Sequence, residues 1–215
     1  MSVSTKNKRK LGLPIVIAGG LSSLVLAVGM TPTFSAFTAS IANTVNTAGT
    51  GTLTMQESNS TGTVLCTSDS TTVSNNAATC ATINKYGGDL GMTIGESVTT
   101  TINIKNTGTL DAASFSLTPG ACAQSNNGTV NGTATDLCTK TTVTIVSGSK
   151  TIFSGTAQAL GTGGSIDLLS KLGTSSVASG ATIPVTFTVK LGDTTLGNTY
   201  QGLKISQPMT WAFSA

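Results

Sequence analysis

The dominant period in the pattern of apolar and polar residues along this chain is two. Val98, Thr100, Ile102 and Ile104 alternate with Thr99, Thr101, Asn103 and Lys105, and a side chain that changes face at every residue marks a half-buried β-strand. Asn106-Thr107-Gly108 supplies a turn after it. Phe115 and Leu117 lie on the next strand, before Pro119-Gly120. Val143 and Ile145 mark another, and Ile152-Phe153 follows the Gly148 turn. The longest case is Ile183, Val185, Phe187, Val189 and Leu191, alternating with Pro184, Thr186, Thr188 and Lys190. Pro184 lacks an amide donor, so this strand starts there or lies at an edge. Met209, Trp211 and Phe213 close the chain in the same rhythm, and Gly51 to Met55 and Val64 to Cys66 are shorter strands. One stretch departs from the pattern: Ser165 to Leu172 has helical spacing, with Ser165 as cap and Gly173 as stop. Many short strands, Gly and Asn turns and almost no helix predict an all-β fold: an antiparallel jelly-roll-like β-sandwich with one short helix, in a single domain over 51–215.

The N-terminal part has a different grammar. Lys6, Lys8, Arg9 and Lys10 precede an apolar or small run from Leu11 to Met30, and Thr33-Phe34-Ser35 places small residues before a cut between Ser35 and Ala36. That is the layout of a secretory signal peptide over 1–35. The run is also about 20 residues long, the length a membrane-spanning helix needs; the basic cluster and the small residues at the cut favour cleavage. Directly after it, Phe37, Ala39, Ile41 and Val45 alternate with Thr38, Ser40, Ala42 and Thr44, with Asn43 as the one polar gap. A freed end that begins with a half-apolar strand needs a sheet to join, in its own subunit or a neighbour's.

Composition narrows the function classes. All eight acidic residues and seven of the eleven basic ones follow Ser35, so residues 36–215 carry a net charge of −1. The positive charge belongs to the signal, and nothing basic remains to condense on phosphate, so nucleic acid is not expected as a partner. Cys66, Cys80, Cys122 and Cys138 all lie in the exported part, where an even count argues for disulfides. Of three pairings, spacing favours Cys66–Cys80 and Cys122–Cys138; four buried thiols or a zinc site are the alternatives, the latter disfavoured by the lack of a Cys-x-x-Cys.

The chain has no histidine. That removes Ser-His-Asp and Cys-His nucleophile pairs, the zinc-peptidase helix and the usual proton shuttle near neutral pH. Gly161 to Ser165 resembles a phosphate cradle but lacks its Lys and preceding strand. Asn59, Asn127 and Asn131 begin sequon patterns that an Asn/Thr-rich chain produces by chance. No enzymatic activity, cofactor or metal is expected.

Three blocks together resemble the TasA/camelysin family of secreted bacterial proteins. Thr33-Phe34-Ser35-Ala36-Phe37 is followed by Ala48-Gly49-Thr50-Gly51-Thr52-Leu53. Leu90 to Val98 leads into a strand ending at Asn106-Thr107-Gly108-Thr109-Leu110. Asn198-Thr199-Tyr200-Gln201-Gly202 precedes the last strand, and its Asn198, Tyr200, Gln201 and Gly202 form the most specific block. Ile94 stands where the family has Pro, and the four cysteines are an addition. The resemblance implies a jelly-roll subunit of extracellular matrix or cell-surface fibres. Its N-terminal strand, here residues 36–50 with their tether, would insert into the next copy, with Phe37, Ala39, Ile41 and Val45 as plugs. It implies a head-to-tail homopolymer, a dedicated signal peptidase and a minor fibre or anchoring protein as partners, and contact with membrane only before cleavage. The peptidase label that some relatives carry is not transferred to a chain without histidine. The alternative function is a monomeric cell-surface adhesin or binding module.

Overall fold

The computed structural model describes residues 47–70, 76–192 and 196–215. Thr50–Ala215 forms a compact unit. The expected signal, the cut at Ser35 and Ala36, and the strand carrying Phe37, Ala39, Ile41 and Val45 lie outside the described residues.

The unit is an antiparallel β-sandwich. Its strands are β1 (Met55–Asn59), β2 (Leu65–Thr67), β3 (Ser97–Asn106), β4 (Ser114–Pro119), β5 (Ala123–Asn126), β6 (Thr141–Ser147), β7 (Lys150–Thr156), β8 (Ile166–Asp167), β9 (Thr182–Leu191), β10 (Leu203–Ser206) and β11 (Met209–Ser214). One layer is a six-stranded sheet in the order β2-β1-β3-β9-β6-β7. The other holds β11-β4-β8 and β10-β5, which read as one bent ribbon: Gly120 N–H donates to Pro208 O at 2.8 Å where β4 passes into β5 and β10 into β11. Strands from the first half of the chain pair with strands from the last, β3 with β9, β4 with β11 and β5 with β10. This is a jelly-roll-like arrangement.

The period-two rows become the core. Ile102 and Ile104 of β3, Val143 and Ile145 of β6, and Val185 and Phe187 of β9 are all fully buried. Phe115 and Leu117 meet them from β4. Trp211 of β11 packs edge-on to Phe187 of β9 at 6.3 Å between ring centroids, joining the two layers. On the outer face the alternate threonines pair across strands, Thr101 with Thr186 at 2.9 Å and Thr99 with Thr188 at 3.2 Å. β9 is central, not an edge. Pro184 is tolerated because it is the third residue of the strand and β6 pairs with β9 only from Thr186 onward.

The helix expected over 166–172 forms at Leu168–Leu172 (α3). Its cap is not Ser165: Asp167 Oδ1 accepts from Ser170 N–H at 3.2 Å, while Ile166–Asp167 pairs with β4 and Ser165 Oγ accepts from Thr118 Oγ1. Gly173 does end it, with φ +75°. Two further short helices, α1 (Leu137–Lys140) and α2 (Ala157–Thr162), are too brief to leave a period in the sequence. The first strand also starts later than expected, at Met55 instead of Gly51. Residues 52–54 instead run beside 107–110, where Thr52 O accepts from Thr109 and Leu110 N–H. Gly108 permits that approach, since a Cβ there would lie 2.3 Å from Thr52 O.

Candidate functional site

The two layers do not match in width: the six-stranded sheet faces a ribbon that is at most three strands wide. Among the described residues nothing pairs with β10 or β11 on the side away from β5 and β4. That unpaired edge is long, comprising the four residues of β10, the Gln207-Pro208 corner and the six of β11. In an antiparallel ribbon every second residue aims its N–H and C=O outward, so such an edge is a template for another strand.

A groove of about 860 Å³ runs along this edge. Consecutive residues from Leu203 to Phe213 line it, including the outward-facing Thr210 and Ala212, so it follows the backbone edge as well as the inner face. The opposite sheet contributes Met55 of β1 and Val189 and Leu191 of β9. The inward row of the edge is Leu203, Ile205, Gln207, Met209, Trp211 and Phe213, and every member stays half-buried. Equivalent rows on β3, β6 and β9 reach full burial because each has a neighbour on both sides and a layer above. The half-cover of Met209, Trp211 and Phe213 is what a sheet lacking its next strand would show. Trp211 also has a buried indole N–H without a partner among the described residues.

The far wall is the segment 76–92, held by three fastenings. The Cys66–Cys80 disulfide ties its start to β2. Lys85 lies 2.6 Å from Glu57 Oε1, with side-chain exposures of 13% and 8%; the contact is ionic and off hydrogen-bond alignment. Glu57 sits opposite Ile104 in register and so points inward. A carboxylate there broke the apolar alternation of β1, and Lys85 compensates a charge that would be costly to bury alone. The third fastening is the Tyr86 hydroxyl, which donates to Gln207 Oε1. Gln207 Nε2 in turn donates to Gly120 O at 2.8 Å and Ala157 O at 3.1 Å. Burial pushes the Tyr86 phenol well above its ordinary value of 10.0.

The remaining residues singled out in the sequence do structural work. Cys122–Cys138 closes the other loop, with Cα atoms 6.1 Å apart. The C-terminal block is that loop's dock. Asn198 opens a 3₁₀ turn ending at Tyr200, whose hydroxyl donates to Asp136 Oδ1 at 2.8 Å. Gln201 O accepts from Gly132 N–H and Thr199 O from Ala134 N–H. Gly202, at φ +62°, accepts from Asn127 N–H, and a Cβ there would lie 2.0 Å from Val130 O. Asn106 of the middle block is fully buried; its Nδ2 donates to Leu110 O and Val177 O, and its Oδ1 accepts from Gly108 N–H. All three sequon asparagines donate their side-chain amides within the fold.

Chemically the site offers shape, apolar surface and backbone hydrogen bonds. Among the described residues no three His, Cys, Asp or Glu side chains gather as a metal site, and no helix is long and apolar enough to cross a membrane. Met55, Val189, Leu191, Met209, Trp211 and Phe213 were visible in the sequence as strand positions, but Leu203–Ser206 was not read as a strand and nothing marked the β10–β11 edge as unpaired. No protein-family model matches the chain, and no curated protein matches it.

Proposed function

We propose that this protein is a secreted structural subunit of extracellular matrix or cell-surface fibres, assembled by donor-strand insertion as in the TasA/camelysin family it resembles. The observation that carries this is the unpaired β10–β11 edge, whose inward residues stay half-covered above a groove of about 860 Å³. The chain carries a segment suited to fill it. Residues 36–46 alternate apolar and polar in strand period, are close in length to the edge, and come free once the signal is cut after Ser35. Strand addition draws affinity from main-chain hydrogen bonds and specificity from alternate side chains. Phe37, Ala39, Ile41 and Val45 are the plugs. Full burial of each large apolar plug contributes about 1.5–3 kcal/mol, and each backbone bond about 1 kcal/mol. Insertion of one copy into the next is heterologous and does not close, so it yields filaments. The signal doubles as a lock, since an uncleaved chain holds its donor segment back.

Electron microscopy of the protein beginning at Ala36, incubated at rising concentration, tests this. Fibres are expected, and deleting residues 36–45 or introducing Ile41→Asp leaves folded monomers. Fibres of normal morphology from those variants would sink the proposal. A monomer at every concentration would mean that the segment serves its own subunit, and the adhesin reading would replace this one.

A further inference from the structure

We infer that the donor segment adds to β10–β11 of the next copy in a single antiparallel register, with Asn43 opposite Gln207. The inference rests on the donor-strand reading above. In an antiparallel pair, directly opposite residues share a face. The inward row of the edge is Ile205, Gln207, Met209, Trp211 and Phe213, apolar but for Gln207. The apolar row of the incoming segment is Phe37, Ala39, Ile41, Asn43 and Val45, apolar but for Asn43. Run in opposite directions, the two rows align so that the polar residues coincide. Val45 then meets Ile205, Ile41 meets Met209, and Phe37 meets Phe213. Ala39, the smallest plug, falls against Trp211, the largest side chain of the edge.

Other alignments lose this match. A slip of two residues one way sets Asn43 against Ile205 and Ile41 against Gln207; the other way sets Asn43 against Met209 and Val45 against Gln207. Each buries an amide beside hydrocarbon. A parallel strand that keeps Asn43 at Gln207 stops at Met209 and leaves Trp211 and Phe213 uncovered. The Gln207 site can receive an amide: its Oε1 accepts from the Tyr86 hydroxyl, and a carbonyl oxygen has a second lone pair for Asn43 Nδ2. The Tyr86–Gln207 pair thus serves as a register mark in an apolar groove, the role that isolated polar residues play in other strand and helix pairings.

Cysteine cross-linking between two differently labelled copies tests it. Thr210→Cys faces outward on the acceptor and is mixed with donor copies carrying Thr38→Cys, Ser40→Cys or Ala42→Cys. Mild oxidation of the assembled fibres is followed by non-reducing electrophoresis. The register pairs position 40 with 210, so Ser40→Cys should give about tenfold more heterodimer than either neighbour, the margin that one buried unpaired amide sets. Asn43→Leu in the donor should spread the cross-links to the neighbouring positions. Preferential cross-linking from Thr38→Cys or Ala42→Cys would overturn the register and leave the donor-strand reading standing. Fibres that give no heterodimer from any of the three would overturn both.

Discussion

At the scale of single residues, Phe187 and Tyr86 make opposite demands on their surroundings. Phe187 is fully buried between the layers and touches the Trp211 ring. Phe187→Ala opens a cavity that the rigid ladders on both sides cannot close, and chemical denaturation should show a loss of about 3–5 kcal/mol. Tyr86 is a half-buried phenol with its proton committed to Gln207. Its folded pKa is raised above the ordinary 10.0 by burial. The unfolded chain therefore releases that proton first as pH rises. The stabilisation is complete below pH 10 and drains away from pH 10 upward, toward the folded pKa. Thermal melts of wild type and Tyr86→Phe between pH 8 and 12 should converge as pH rises, because the variant has no phenol to lose. A constant gap across that range would contradict this account.

At the scale of elements, the Cys122–Cys138 loop and the 3₁₀ turn at Asn198–Tyr200 form one unit. The disulfide spans 16 residues of separation, so Cys122→Ser with Cys138→Ser should cost about 3 kcal/mol in the chain-entropy model, read as a lowered melting temperature. Gly202→Ala attacks the same unit through the backbone, since the position has a positive φ and Val130 O lies where the methyl would go. It should expose the loop to proteolysis between Asn126 and Cys138 while the six-stranded sheet stays protected from hydrogen exchange. The C-terminal block Asn198–Gly202 stands out in the sequence, yet its purpose as a dock for this loop required the Gly132 and Ala134 contacts to be seen.

At the scale of the molecule, the β10–β11 edge has no further strand beside it among the described residues. A groove that wants a strand should accept one in trans. A synthetic peptide of residues 36–46, added to the variant lacking 36–45, should raise its melting temperature with peptide concentration; at a hundredfold excess over Kd the gain is about 2.7 kcal/mol. The same peptide should cap growing fibres of the intact protein, lowering their mean length in electron micrographs. A melting temperature indifferent to peptide would show that the groove has another occupant.

The sequence by itself determined the longer strands and their inner faces, while the short β5, β8 and β10 left no period to read. Rows such as Ile183–Leu191 and Val98–Ile104 have one apolar face, and a one-residue slip would turn it to water, so burial leaves no choice. Spacing favoured the disulfide partners that the structure shows, because each pair closes a short local loop. The exceptions were local conflicts that only distant residues resolve. Glu57 interrupts β1 and needs Lys85; Ser165 yields its cap to Asp167 because Ile166–Asp167 is held against β4; Pro184 enters a central strand because β9 pairs with β6 only from Thr186 onward. Which strand has a neighbour on each side is likewise invisible to periodicity, which reports a face and never an edge. Only the tertiary structure decided that, among the described residues, β10–β11 ends its sheet unpaired, because pairing between distant strands is set by how the layers close around Phe115, Phe187 and Trp211 and not by any residue within the strand.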